Sequence, residues 1–457
     1  MVHPQSDSTA MGEGVIVVGG GLAGCEAAWQ LARRDVPVVL YDMKPHRRSP
    51  AHVSDQLSEL VCSNSLRAAA THNAVGLLKE EMRRLDSLII QAADAQAVPA
   101  GGALAVDRVA FAEAVTQAIQ DHPLIDVRHQ VVEKIPEAHQ VILATGPLTA
   151  PELVRDIRAL LGDEYLYFYD AIAPTIHADS IDSSIVFKAS RWEEGEGDYL
   201  NVPLDRPGYE SFVEALLAAE KVPLHAFEKA LYFEGCLPIE EIARRGVDTL
   251  AHGPMKPVGL TDPRTGQRPH AVVQLRQEDA GGLLFNLVGF QTKLRIGEQK
   301  RIFRMLPGLE KAVFARFGSV HRNTYLNAPR LMGPTLELKA RKGLYVAGQM
   351  AGVEGYVESA ALGGIAGINA ARVVRGEPAL EVPRDTAHGA LMAHLGDSYS
   401  KNFQPMNVNF GLFRPLEQSV ARKGRRRVAK REKYEKLAER ALEAIEKHAA
   451  EVRPAVE

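Results

Sequence analysis

Residues Val15-Ile16-Val17-Val18-Gly19-Gly20-Gly21-Leu22-Ala23-Gly24 join an apolar run to glycines spaced G-x-G-x-x-G. The run predicts a buried parallel strand, and the glycines predict a tight turn that opens a helix. A second apolar run, Val36 to Tyr41, ends at Asp42. Strand, glycine turn, helix, strand and acid in that order make a dinucleotide-binding unit. Gly19 permits the turn, Gly21 lets a pyrophosphate approach the backbone, and Gly24 lets helix and strand pack closely. Gly20, Leu22 and Ala23 complete the predicted contact, because a helix N-terminus offers unpaired N–H groups and a positive dipole end to phosphates. Asp42 can accept hydrogen bonds from a ribose.

The rest of the chain bounds what surrounds that unit. Its 457 residues allow about two or three domains. A hydrophobic content of 46% and a charged content of 24% are those of an ordinary globular protein. No apolar run approaches the length of a membrane span. Residues 1–12 are small and polar without a signal-peptide core, and read as a disordered leader. Three cysteines do not make a disulfide framework, which points to a reducing cytoplasm. The net charge of −3 gives no reason to expect a nucleic-acid partner. The distribution does: between Arg422 and Lys436 stand nine Lys and Arg against Glu432 and Glu435. Such a basic run in an acidic chain suggests a polyanion, although a solvated helix face has the same composition.

Along the chain, Leu78, Met82, Leu85, Ile89 and Ala92 recur at helical spacing and predict one helix from Asn73 to about Asp94. Leu104-Ala105-Val106 reads as a short strand, with Asp107 capping the helix after it. Val141-Ile142-Leu143-Ala144-Thr145-Gly146 is a second buried strand with a glycine end. From about Asp198 to Arg341, strand-like runs (Ala271 to Leu275, Leu283 to Phe290) mix with Pro- and Gly-rich turns. The nucleotide-binding pattern then resumes in Gly343-Leu344-Tyr345-Val346-Ala347-Gly348, followed by a small-residue helix, Gly363 to Val374. The expected class is α/β: a Rossmann-like domain over 13–197 and 342–457, the latter with basic C-terminal helices, interrupted by an α+β insertion over 198–341.

Three strand-end glycine motifs, Gly19 to Gly24, Ala144-Thr145-Gly146 and Ala347-Gly348, together resemble the FAD-binding fold of the glutathione reductase type. Gln349 departs from that broad family, which usually places an Asp there to hold the ribityl chain. Longer strings narrow the match. Gly-Gly-Gly-Leu-Ala-Gly-Cys-Glu-Ala-Ala from Gly19 and Ala347-Gly348-Gln349-Met350-Ala351-Gly352-Val353-Glu354-Gly355-Tyr356 resemble the tRNA-modifying flavoproteins. Val61-Cys62-Ser63-Asn64-Ser65-Leu66 and Gly352-Val353-Glu354-Gly355-Tyr356-Val357-Glu358-Ser359-Ala360 resemble one branch, the folate- and FAD-dependent tRNA uracil-5-methyltransferases. So do Pro99 to Arg108, Gly253 to Leu260, Val273 to Glu278 and His321 to Pro329. The sister branch, which modifies wobble uridine, has different strings at those two places and a longer helical tail.

The resemblance implies 5-methyluridine formation in the tRNA T-loop. Methylenetetrahydrofolate would donate the carbon, FAD the electrons, and NAD(P)H would visit the flavin, since no second G-x-G-x-x-G offers it a domain. Uracil C5 becomes nucleophilic when a thiolate adds at C6, so an activated cysteine is required. Cys25 lies inside the first helix and reads as packing. Cys236, ahead of a predicted helix start, and Cys62, in a Ser/Asn-rich loop, are the candidates. The expected split is Cys236 on the base and Cys62 near the flavin, with the opposite left open. Tyr356 is expected to cover the flavin or folate ring. Glu354 and Glu358 read as proton carriers or helix caps, and Arg276, Lys256, Arg322 and His321 as weaker ligand contacts. No Cys/His cluster has zinc spacing. The competing readings are the wobble-uridine flavoenzyme, a small-molecule flavin oxidoreductase and a non-catalytic flavin-binding RNA chaperone.

Overall fold

The computed structural model describes residues 14–162, 165–191, 197–222, 237–396, 403–416 and 426–453, with side chains throughout except at 165–171, 320–322 and 426–429. The leader, Cys236 and Arg422 to Arg425 lie outside the described residues.

Four apolar runs, joined by the edge strand Ile125–His129 that the sequence pattern does not reveal, form a five-stranded parallel sheet in the order Leu344–Val346, Val141–Leu143, Val15–Val18, Val38–Asp42, Ile125–His129. Val17 pairs with Leu40 on one side and with Ile142 on the other. The first and last segments of the sequence therefore meet in one sheet, and its strand ends carry all three glycine motifs. Helix Leu22–Ala32 lies against helix Tyr356–Val374. Glycine makes that contact possible. A Cβ at Gly363 would stand 2.1 Å from the Ala23 carbonyl oxygen, and one at Gly367 would stand 2.5 Å from that of Ala27. The small-residue pattern is thus a backbone-to-backbone contact between helices.

The single helix expected from Asn73 to Asp94 is two, Ala74–Arg84 and Leu88–Ala95. Asp86 between them takes a left-handed backbone, φ 56°, and Ser87 caps the second helix by accepting from Ile90 N at 3.2 Å. The Asp86 carbonyl, turned aside, accepts from the Trp29 indole at 3.1 Å and from Arg33 at 3.2 Å. Periodicity survives such a break because both helices bury their apolar faces in one core. Asp107 does cap its helix, accepting from Val109 N and Ala110 N.

The insertion is a six-stranded antiparallel sheet, ordered Phe187–Lys188, Tyr199–Leu204, Ala271–Gln277, Leu284–Leu287, Thr175–His177, Phe314–Arg316. It has its own core, where Tyr209, Phe212 and Leu216 of helix Arg206–Ala218 meet Phe290 and Phe303. Thr175–His177 and Phe187–Lys188 precede residue 198 and yet belong to this sheet. Strands of two and three residues, paired across distant sequence, leave no period to read. A two-stranded ribbon, Tyr165–Ile172 with Ser319–Leu326, carries the chain in and out. A small sheet of Ser65–Ala68, Ala103–Val106 and Ala97–Val98 sits beside the main one.

The last helix, Arg426–Val452, buries Leu437, Ala441 and Ile445 at the spacing the sequence shows and packs on Ala74–Arg84. Among the described residues no helix is long and apolar enough to cross a membrane.

Candidate functional site

The first glycine turn is shaped by collision. Gly19 has φ 109°, and a Cβ there would lie 2.5 Å from the Ala144 carbonyl oxygen. A Cβ on Gly24 would lie 1.8 Å from the Gly19 carbonyl oxygen. Gly21 is different: a Cβ there would meet nothing within 4 Å, because it faces an open cleft. Gly21 is also the N-cap of the helix and brings no side-chain cap, so the first N–H groups of the helix are left for a ligand. Asp42 is fixed from both sides, accepting from Gly20 N at 2.9 Å and from Lys44 N at 2.8 Å.

Gly19, Gly20, Gly21, Leu22, Ala23, Asp42, Thr145, Gly146, Gly348, Gln349 and Tyr356 all line this one cleft. Gly24 lies behind it, packed on Gly19. Gly146 (φ 68°) and Gly348 (φ 75°) turn their strands aside at its edge. The Thr145 hydroxyl is held to that of Thr149 at 2.6 Å. The Gln349 amide donates to Glu354 at 2.6 Å, so Glu354 serves to orient Gln349. Lys44, His52 and Glu59 also line the cleft. Sequence reasoning misses these three, because their loop shows only a Pro-, His- and Arg-rich texture.

Val61 and Tyr356, which also line the cleft, connect it to the Cys62 loop. The Tyr356 hydroxyl accepts from Cys62 N at 2.6 Å and from Ser63 N at 3.2 Å. Burial, with Cys62 beside it, holds the Tyr356 phenol well above the ordinary tyrosine range, so it stays protonated. Three arginines from three elements hold the loop. Arg108 donates to the Leu60 carbonyl at 2.7 Å and to both Glu278 oxygens at 2.8 Å. Arg276 donates to Asn64 at 2.9 Å and to the Ser63 hydroxyl at 2.7 Å. Arg316 donates to the Val61 carbonyl. Asn64 in turn donates to the carbonyls of Val106 and Gln277, both at 2.9 Å. Burial works against the charge of all three guanidinium groups, and at Arg108 the Glu278 carboxylate reverses it. Each of the three interacts electrostatically with Cys62.

Arg276, expected to meet a ligand's phosphate or carboxylate, is instead buried and turned onto the loop. Glu358, expected to move protons or cap a helix, is fully buried, paired with Arg67, and accepts from Val408 N at 3.0 Å. Lys256 is exposed. The side chains of His321 and Arg322 are not described. Sequence reasoning also misses Arg108 and Glu278 as a pair, although both stand inside strings that carry the family resemblance. Arg316 stands in none. Cys25 is buried with its thiol pushed up to about 12 by burial, and it donates to the Gly20 carbonyl at 3.4 Å, which is a packing role. Among the described residues, Cys62 is the one cysteine that is not buried.

Residues 14–378 match the family model described as Glucose inhibited division protein A. A methylenetetrahydrofolate–tRNA-(uracil-5-)-methyltransferase TrmFO of Desulforamulus reducens is 58% identical over 431 residues, 94% of this chain and 96% of that protein. The protein of the same description from Listeria monocytogenes serotype 4b is 54% identical, over 97% of this chain and 100% of that protein. Among solved structures, Aquifex aeolicus GidA superposes with a TM-score of 0.70 at 18% identity, covering 97% of this chain and 76% of that one.

Proposed function

The chain belongs to the Glucose inhibited division protein A family and, within it, to the methylenetetrahydrofolate–tRNA-(uracil-5-)-methyltransferases, and we propose that its cleft binds FAD and that the Cys62 end is where a tRNA uridine is methylated. The reaction is transfer of a one-carbon unit from methylenetetrahydrofolate to uracil C5, with reduced FAD as reductant. We assign it to the T-loop uridine, with NAD(P)H as the electron source and the cytoplasm as the setting. The observation that supports this reading most is the convergence of three glycine turns on one cleft that Tyr356 also lines, with the Tyr356 hydroxyl bonded to the Cys62 backbone.

The residues present fit a dinucleotide. Gly21 leaves room beside an uncapped helix N-terminus, and Asp42 is held rigid at the end of the second strand where a ribose would lie. Backbone N–H groups after Gly21 would hold the pyrophosphate, and Gln349, steadied by Glu354, would face the ribityl chain. When bound, FAD supplies the two electrons that bring the transferred carbon to the methyl level. The protein's own part is to present thiols and exclude water. A cysteine thiolate adding at C6 of uracil gives C5 enolate character, and C5 then attacks the one-carbon electrophile. We assign that thiolate to Cys236, outside the described residues, and place Cys62 beside the flavin. Tyr356 lines the cleft, and its hydroxyl is tied to the Cys62 loop. The domain boundary follows the ribbon, with the insertion between residues 172 and 319.

The test is nucleoside analysis of tRNA incubated with the protein, labelled methylenetetrahydrofolate and NAD(P)H. Label in ribothymidine is the expected result. A carboxymethylaminomethyl wobble uridine would select the sister branch, and no tRNA product at all would favour a small-molecule oxidoreductase. Cys236→Ala is expected to abolish transfer, and Cys62→Ala to impair it severely.

A further inference from the structure

We propose that Arg67 and Glu358 are a positioning pair for methyl transfer, setting the Tyr356 hydroxyl against the Cys62 backbone from behind the cleft. The inference rests on reading this cleft as the methyl-transfer site. Glu358 stands in the first turn of the helix that Tyr356 opens, and its side chain is fully buried. One Arg67 nitrogen reaches both of its carboxylate oxygens. Arg67 lies on the strand that follows the Cys62 loop. It is a non-glycine residue with φ 63°, outside the usual range for its type. Lys79 holds the backbone on either side of it, donating to the Leu66 carbonyl at 2.8 Å and to the Ala68 carbonyl at 2.7 Å.

The contacts close a ring. Cys62 and Ser63 donate to Tyr356, two residues of the same helix lead to Glu358, the ion pair leads to Arg67, and the chain returns to Ser63. A third segment locks it. Glu354 N donates to the Met406 carbonyl at 3.1 Å, Asn407 donates to the Glu354 carbonyl at 2.6 Å, and Val408 N donates to Glu358 at 3.0 Å. Gly355 sits at the centre with φ 109°. A Cβ there would come within 2.4 Å of Glu358, 2.9 Å of Arg67 and 3.1 Å of Asn407. None of these three residues is among the described residues that line the cleft, whereas Tyr356 is, so the ring of contacts reaches the cleft through Tyr356. Packing alone does not call for an ion pair here, since apolar groups of similar volume fill such a space at least as well. A buried carboxylate fixed by charge and by a third segment does hold one geometry, and small displacements of a positioned group are costly in rate.

The test is a double-mutant cycle on the purified full-length enzyme, using Glu358→Gln, Tyr356→Phe and both together. Two quantities are read: the rate of Cys62 alkylation by iodoacetamide, located by peptide mass, and kcat and KM for tRNA. Glu358→Gln is expected to speed Cys62 alkylation about fivefold and to lower kcat about tenfold, with KM within about twofold. In the Tyr356→Phe background those effects should shrink to less than about twofold. Asn407→Ala, carried through the same cycle, gives the answer if Glu358→Gln does not fold. Unchanged alkylation and kcat, or equal effects with and without the Tyr356 hydroxyl, would overturn the proposal. A wild type that makes no ribothymidine would instead overturn the functional reading, and the alkylation arm would still decide the positioning role.

Discussion

Gly21 and Gly24 stand one helical turn apart and answer to opposite constraints. Gly24 is closed in by the Gly19 carbonyl, whereas Gly21 opens on the cleft. Gly21→Val is therefore expected to fold normally and to purify colourless, while Gly24→Val should fail to fold. Flavin absorbance together with a thermal melt separates the two, and yellow Gly21→Val protein would contradict the assignment. Lys79 yields a second residue-scale prediction. Burial, aided by Arg67, lowers its ammonium to about 7 in the folded protein from an ordinary value of 10.5. Between those values the unfolded chain binds more protons than the folded one, so stability rises with pH. The contribution is at most about 1.4 kcal/mol per pH unit, and the penalty is fully present below about pH 7. Lys79→Met should flatten this rise, read as urea midpoints at about pH 7 and about pH 9. An unchanged slope would show that Lys79 keeps its charge throughout. The glycine spacing was legible in sequence because each glycine answers a local steric demand. Lys79 was not, because its partners are carbonyls brought to it by the fold.

At the scale of elements, helices Leu22–Ala32 and Tyr356–Val374 are brought into close contact by glycine. Gly363→Val would force helix Tyr356–Val374 off helix Leu22–Ala32, since the Ala23 backbone cannot move aside as a side chain does. A loss at or above the top of the usual ~1–3 kcal/mol range for overpacking is expected, measured by denaturant unfolding. A change below about 0.5 kcal/mol would mean that the helices are free to separate. The strands Val15–Val18, Val141–Leu143 and Leu344–Val346 were readable because their apolar runs are continuous and lead into glycine, and Val38–Asp42 because its run ends in an acid. The edge strand Ile125–His129, half-exposed and interrupted by charge, was not. The break at Asp86-Ser87 was hidden by a period that runs through it, and the short strands ahead of residue 198 carry no period. In the site, the nucleotide-binding half was legible as a motif. The arginine clamp on the loop around Cys62 was not, because Arg108, Arg276 and Arg316 come from three elements joined only in the folded chain. The Arg67–Glu358 pair, 291 residues apart, is hidden for the same reason.

The whole molecule has a net charge of −3 and must still hold a polyanion if it acts on tRNA. The last helix concentrates the positive charge. Leu437, Ala441 and Ile445 are buried, and Tyr434 stacks on Phe410 with ring centroids 4.4 Å apart, which leaves Lys430, Arg431, Lys433 and Lys436 exposed. Glu435 pairs with Arg431 and Glu432 with Lys436, so part of that charge is neutralised within the helix. Surface pairs of this kind are weak and give way to a phosphate. The stretch from Arg425 to Arg427 has no acidic residue within it. Changing Arg425, Arg426 and Arg427 together to Glu should weaken tRNA binding and flatten its dependence on salt. For every phosphate no longer neutralised, the slope of log affinity against log salt concentration should become shallower by about 0.7 to 0.9. FAD content and flavin reduction by NAD(P)H should be unaffected, since the helix lies away from the cleft-lining residues. A filter-binding titration at several salt concentrations reads both affinity and slope. If the triple variant bound tRNA as the wild type does, the helix would be a solvated face that only packs on Ala74–Arg84. The phosphate contacts would then belong to the insertion, where Lys256 is exposed.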